Sequence, residues 1–280
     1  MKKILFFSAL CLSLFGNAQM KEGKVLYERT IQMQFRGGNN VRFGDGPPPP
    51  PPGEGRPTER KDKFELSFAN NQSIWESVAE MDENQNFGGG GGPGGPGLFV
   101  MTFDGGSDLT YHNFTAGKRI DEQELSGKKY IVEDSIRKMA WKLTGETKTI
   151  LGHTVQKATG ERHGTRNVMT MENGEMKRQL IADTTLVNAW IAMEISVSAG
   201  PEQFQGQLPG LILELEMNNG RIVYRTLEIS SKINPSSIKE PKGGKRITAA
   251  EFTKLRNKEM EDMRRNMPTG GGRRIDIVTQ

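Results

Sequence analysis

The chain has 280 residues with one cysteine and three histidines, and 38 Lys and Arg against 34 Asp and Glu leave a net charge of only +4. So even a balance argues against a nucleic-acid partner, which is bound through clustered Lys and Arg. A lone cysteine excludes an internal disulfide or a thiolate metal cluster.

In chain order, "MKKILFFSALCLSLFGNAQ" comes first. Lys2 and Lys3 precede an apolar run from Ile4 to Phe15, with Gly16 and Ala18 at the small-residue positions of a cleavage site, so a signal peptide over 1–19 is expected. The run is shorter than the roughly 20 apolar residues that span a bilayer, and no later segment is apolar enough to do so. Cys11 lies inside the run behind Leu10, where a lipoprotein site would need a small residue, so the mature chain is expected to carry no thiol. Its expected location is the periplasm, the outer-membrane periphery or the outside of the cell.

"KVLYERTIQMQF" reads as a strand with Val25, Tyr27, Ile31, Met33 and Phe35 on one face, and Arg29 breaking that face by a bend or by reaching solvent. Residues 37–60, with a hexaproline, form a first disordered loop, either a surface excursion or a docking tract for a partner. Phe64, Leu66 and Phe68 alternate in the next strand, and "ANNQ" turns the chain into "SIWESV". Glycine and proline fill a second disordered loop over 86–97, without the Lys-Ser/Thr ending of a phosphate loop. Short strands follow: "LFVMTF", "LTYHNF", "KKYIVED", "MAWKLT", "HTVQKATG", "RNVMTM", "EMKRQLI" and "AWIAMEI". Asn173-Gly174 fits a type I′ hairpin turn placing Met171 opposite Met176 and Met169 opposite Arg178. Asn219-Gly220 likewise pairs Met217 with Ile222, Leu215 with Tyr224 and Leu213 with Thr226, with Glu214 beside Arg225 on the other face. Thr248 and Glu251 have capping-box spacing and open a helix over 248–266, with Phe252, Leu255, Met260 and Met263 as an imperfect stripe. The tail over 267–280 is flexible, with Ile275, Ile277 and Val278 available for an edge strand. The expected fold is a single all-β domain over 20–266, mainly antiparallel, a strongly curved sheet or half-barrel with a C-terminal helix and two low-complexity loops.

No catalytic residue can be assigned from motifs. His112, His153 and His163 lack zinc-site spacing and are expected at the surface or in turns. No GxSxG elbow occurs. Asp121 with Glu122, and Glu133 with Asp134, stand in polar, turn-like runs, whereas a general acid needs an environment that raises its pKa. "DGGSD" over Asp104 to Asp108 reads as a hairpin turn, with calcium ligation as the alternative. Met169, Met171 and Met176 form a thioether set suited to Cu(I), or else fill core space. No cofactor is expected.

"FQGQLPGLILELE" stands out in a chain that is mostly polar, glycine-rich or charged. Pro209-Gly210 suits a type II turn, with Gly210 at positive φ, leading into a strand that buries Leu211, Leu213, Leu215 and Met217. Together with "WKLTGETKTILGHTVQKATG" and "AWIAMEISVSAGP", in that order, this block makes the chain resemble the GLPGLI family, secreted Bacteroidetes proteins of no established molecular function. The correspondence falls on Trp141, Lys148, Gly152, Lys157 and Ala158, then Ala189, Trp190, Ile195, Gly200 and Pro201, then Leu208, Pro209, Gly210, Leu211 and Ile212. Gln207 departs from the motif's first glycine, and Val155 stands where many members have cysteine. The motif residues, with Trp141, Trp190 and Gly152, read as structural. The loop before them, with Gly200, Pro201, Phe204 and Gln207, is the candidate contact with a ligand or partner. The expectation is a non-enzymatic periplasmic or outer-membrane-associated binding or accessory protein, partnered by an envelope protein. Copper handling and a hydrolase with a site assembled only in space are the alternatives.

Overall fold

The computed structural model describes residues 20–32, 59–78, 109–172 and 175–266, the side chains of 166–178, 264 and 266 excepted. The leader, the Pro/Gly stretches up to 58 and from 79, the "LFVMTF" strand, the Asp104–Asp108 turn, Asn173-Gly174 and the tail lie outside the described residues.

Twelve strands and one helix form among the described residues. The strands are β1 Gly23–Gln32, β2 Glu59–Ala69, β3 Gln72–Val78, β4 Leu109–Asn113, β5 Lys118–Leu125, β6 Lys128–Ser135, β7 Trp141–Ile150, β8 His153–Glu172, β9 Glu175–Ala192, β10 Leu211–Met217, β11 Ile222–Ser230 and β12 Lys245–Thr248. The helix is α1, Ala249–Asn266. All strands join one sheet in the order β12-β6-β5-β4-β3-β2-β1-β11-β10-β9-β8-β7. Only β12 beside β6 is parallel. The all-β, mainly antiparallel expectation therefore holds, and the sheet does not close into a barrel, because β12 and β7 remain its two edges.

Hairpin chemistry sets the register. Asn70 and Asn71 adopt left-handed φ of 51° and 57° between the paired Ala69 and Gln72, as a two-residue type I′ turn requires. Leu151 and Gly152 do the same between Ile150 and His153. At Asn219-Gly220 the pairs Met217↔Ile222, Leu215↔Tyr224 and Glu214↔Arg225 form as expected, and Thr226 donates from Oγ1 to the Leu213 carbonyl at 2.7 Å. Met171↔Met176 and Met169↔Arg178 are also in the expected register, while their side chains lie outside the described residues. The pieces read as separate strands from His153 to Ala192 run together into one long β8–β9 hairpin.

Several readings are corrected. β2 begins at Glu59, inside the stretch read as loop over 37–60, because Gln32 pairs with Glu59 and donates to its carboxylate. Asp121 and Glu122 are not in a turn but in β5, where Asp121 is buried and accepts from Thr110 Oγ1 at 2.8 Å and Arg119 Nε at 3.0 Å. Arg29 neither bends β1 nor reaches solvent. It is 7 % exposed on the same face as Val25 and Tyr27, and β1's irregularity lies at Leu26/Tyr27 instead.

The main core joins Val25, Tyr27, Leu66 and Trp75 to Leu211, Leu213, Leu215 and Tyr224. Phe204 and Leu208, from the connection between β9 and β10, pack into it. This connection touches β1, β3, β7 and β11, as detailed below, which requires the sheet to curl around it. β7, at one edge, is interrupted by a bulge between Leu143 and Thr147, with Gly145 at φ 83°, and this discourages further strand pairing there. At the other edge α1 covers β12 and β6. Thr248 and Glu251 exchange the capping-box hydrogen bonds (2.8 and 3.2 Å), and Phe252 meets the Tyr130 ring edge-on at 5.7 Å. Met263 is exposed, so the packing stripe ends before the helix does.

Candidate functional site

The segment from Ser198 to Ile212 is a closed loop set inside the curved sheet. Gly206 N donates to the Ser198 carbonyl at 2.6 Å, Ser198 Oγ to the Leu208 carbonyl at 2.7 Å and Ile212 N to the Ala199 carbonyl at 3.0 Å. Three side chains pin it to the sheet. Glu202, at a left-handed φ of 45°, accepts from Arg29 Nη1 at 3.1 Å and from the Tyr224 hydroxyl. Gln205 accepts from Ser73 Oγ at 2.6 Å. Gln207 Oε1 accepts from the Trp141 indole at 3.1 Å and from Met139 N at 3.3 Å, while its amide donates to the Gln203 carbonyl at 2.8 Å.

Arg29 is the cation among these anchors. Its Nε and Nη2 both reach Asp62 Oδ2, at 3.2 and 2.9 Å, and its guanidinium lies 4.8 Å from the Phe64 ring centroid. Burial opposes the charge, but the groups around it more than compensate and hold the guanidinium pKa above its ordinary value. Tyr224 is un-ionised, since burial and then Glu202 push its hydroxyl upward. The carboxylates of Asp62 and Glu202 therefore carry the countercharge.

Of the four expected contact residues, Gly200 and Pro201 are buried within the loop. A Cβ on Gly200 would stand 2.7 Å from Ile212 Cδ1, so this glycine serves packing. Phe204 and Gln207 line a cleft. Trp141 stands with them, its ring edge-on to Phe204 at 6.2 Å. Trp190 does not. It projects from the other face of β9, where Lys148 Nζ lies 4.2 Å from its ring centroid and bonds Glu214 at 2.8 Å.

The LPG turn also differs from expectation. Gly210 has no positive φ, and its N–H donates to the Leu208 carbonyl at 2.9 Å, closing a three-residue turn around Pro209. Glycine is needed there because a Cβ would stand 2.7 Å from the Ala192 carbonyl oxygen.

The cleft has a volume of about 1060 Å³. One wall is formed by Gly160, Arg162, Gly164, Asp183 and Thr185 of β8 and β9, the other by His112, Arg119 and Asp134 of β4 to β6. Residues 136–140 cross from β6 to β7 and, with Gln203, Phe204 and Gln207, complete it. No group of three His, Cys, Asp or Glu gathers to hold a metal among the described residues. His153 and His163 lie at the surface, bonded to Glu194 at 2.5 Å and Thr184 at 3.1 Å.

His112 overturns the surface expectation. It is 1 % exposed, its Nδ1 has no hydrogen-bond partner, and it pairs across the strands with Ser73. Gln205, the other partner of Ser73, also has an unpartnered buried atom, Nε2. A buried polar atom without a partner costs free energy and is uncommon in folded proteins. Only one sequence signal pointed here: Tyr111 and His112 are adjacent in a strand without charged residues, as expected when both faces are covered. Nothing local marks Arg119, Arg162 or the crossing segment.

Burial, with Arg119 beside it, pushes the His112 imidazole down to about 3, against 6.5 for the exposed group. As pH falls below 6.5 the unfolded chain takes up a proton that the native state refuses. This group's stabilisation is therefore complete above 6.5 and is lost toward 3, at a limiting slope of about 1.4 kcal/mol per pH unit. Urea midpoints measured from neutral to mildly acid pH should fall less steeply for His112→Gln than for the parent. Equal slopes would show that His112 is accessible to protons.

A family model described as "Protein of unknown function (Porph_ging)" matches residues 141–214. That stretch runs from the start of β7 into β10 and includes the β8–β9 wall and the loop, but not His112, Arg119 or the crossing segment. No curated protein matches the chain. Among solved structures it is similar to one titled "Structure of PNGF-II in C2 space group", at 13% identity and a TM-score of 0.48, over 84% of this chain and 32% of that one. The chain thus spans about a third of the length of that structure.

Proposed function

We propose that this protein is an exported, non-enzymatic binding protein, a periplasmic or outer-membrane-associated accessory factor that takes a ligand in the cleft between β8–β9 and β4–β6. The carrying observation is the cleft itself, about 1060 Å³, lined by a buried histidine whose Nδ1 lacks a partner. That volume is at the upper end of small-molecule sites, which run to about 1,000 Å³. The polar groups around it favour holding over turnover. A general base works best with a pKa near the operating pH, and His112 at about 3 is a weak base. Asp134, a carboxylate of the lining two strands away across Arg119, is bonded to Arg137 at 3.1 Å. Export is supported by the layout of the first 19 residues.

Gly164 offers a clean test, because nothing lies within 4 Å of where its Cβ would stand, and it lines the cleft. Gly164→Trp should fold normally and fill the space. In a crystallographic fragment screen, hits should concentrate in the cleft of the parent and vanish in Gly164→Trp. Hits scattered elsewhere, or none, would remove the binding reading. Turnover of chromogenic ester or phosphate substrates that Gly164→Trp abolishes would replace it with an enzyme.

A further inference from the structure

The segment crossing from β6 to β7 is pinned at both ends. Ile136 N donates to the Gly117 carbonyl at 2.9 Å, and at the far end Gln207 Oε1 receives both Met139 N and the Trp141 indole. Gly160 lets it lie close to β8, for a Cβ there would stand 2.9 Å from the Ala140 carbonyl oxygen. Arg137 and Lys138 are held between these anchors as an exposed basic pair on the rim of the cleft.

The charges lining the cleft are unevenly committed. Arg137 is bonded to Asp134, and Arg119 to Asp121 at 3.0 Å. Lys138 and Arg162 line the same space without an ion pair among the described residues, and they come from the crossing segment and β8; Lys142 pairs with Thr159, on the face of β8 opposite Arg162. Glu161 and Asp183 are the remaining acids of the lining. The inner wall adds His112 with its unpartnered, buried Nδ1. Exposed cations facing one space give a ligand charge-assisted hydrogen bonds with little desolvation.

Resting on the binding reading above, we infer that the ligand is a multiply charged oxyanion, with phosphate or carboxylate groups countered by Lys138 and Arg162. Gln207 acts as a positioning residue that fixes the crossing segment and so the place of Lys138.

Pyrophosphate and citrate are suitable probes, with glycerol as the uncharged control, titrated calorimetrically into the full-length protein at low and physiological ionic strength. At least one anion should bind and weaken as salt rises, while glycerol should not bind. Lys138→Gln and Arg162→Gln should each weaken binding by about tenfold, Gly164→Trp should abolish it, and Lys232→Gln, outside the lining, should leave it unchanged. Tighter binding of pyrophosphate or of citrate tells phosphate from carboxylate. If fragments occupy the cleft but neither anion binds, or if binding ignores Lys138 and Arg162, the oxyanion inference falls while the binding reading stands. If fragments avoid the cleft as well, both fall.

Discussion

Replacing Arg29 with methionine should lower the free energy of unfolding by roughly 3 kcal/mol and shift the urea midpoint accordingly. The side chain is 9% exposed and joins two carboxylates, Asp62 from β2 and Glu202 from the inserted loop. Removing one member of a buried ion pair commonly costs about 3–5 kcal/mol, because the partner is left without countercharge. The lower end applies because Asp62 keeps its ion pair with Arg60 at 2.9 Å, and Asp62 and Glu202 keep 21% and 32% exposure and can rehydrate. The lost guanidinium contact with Phe64 adds to the penalty. Arg29→Lys keeps the charge but not the fork, so it should cost about half as much. Hydrogen exchange should rise at 202–207 in Arg29→Met, since Glu202 is held there at a left-handed φ. A midpoint unchanged within error would show that the network is no more stabilising than methionine packed in its place.

Gly210→Ala should cost about 3 kcal/mol, and Gly210→Asn no less. The three nearest atoms to a Cβ at this site are all backbone: Ala192 O at 2.7 Å, Ala192 C at 3.1 Å and Met193 Cα at 3.3 Å. Accommodation therefore means moving the end of β9 away from β10, where Leu211 pairs with Ala192. The asparagine variant separates this cause from the turn geometry read in the sequence. At a positive-φ position asparagine is tolerated better than alanine, whereas beside a carbonyl oxygen its larger side chain does not help. Recovery of stability by Gly210→Asn relative to Gly210→Ala, in urea unfolding, would restore the type II turn. Gly164→Ala, in open space, should be near neutral in the same assay.

The sequence was most legible where one face of a strand is dry and the other wet. Leu211, Leu213, Leu215 and Met217 are all buried, and the Asn219-Gly220 turn fixes their partners. It was least legible where both faces are covered or both are polar. β5 fully buries one apolar residue, Ile120, with Leu125 half-buried at its end, and its acids Asp121 and Glu122 are matched by Thr110, Arg119 and Lys129. A strand sustained by cross-strand polar pairs has no alternation to detect. β12 exists only because Lys245 to Thr248 finds β6 in parallel, a pairing no local pattern encodes. The same limit hid much of the site. The loop over 198–207 stood out in the sequence as a candidate contact, yet the partners that hold it, Arg29, Ser73 and Trp141, lie far away in the chain. Arg29 and His112 looked like surface residues because charge and imidazole are rarely buried, and the chain offers no local sign of the groups that bury them.

The position of β1 in the middle of the sheet constrains the order of assembly. Its left-hand neighbour β2 follows it in the chain, but its right-hand neighbour is β11, so that Lys24 waits for Ser230. Until that late segment is available, β1 presents an open edge of unpaired amides, the kind of edge that recruits strands from other molecules. Pairing across so long a stretch of chain has a large loop-closure cost before any contact compensates for it, which makes such sheets slow to form. A chain truncated before Ile222 would thus lose more than its last strands: it would leave the oldest part of the polypeptide exposed to aggregation.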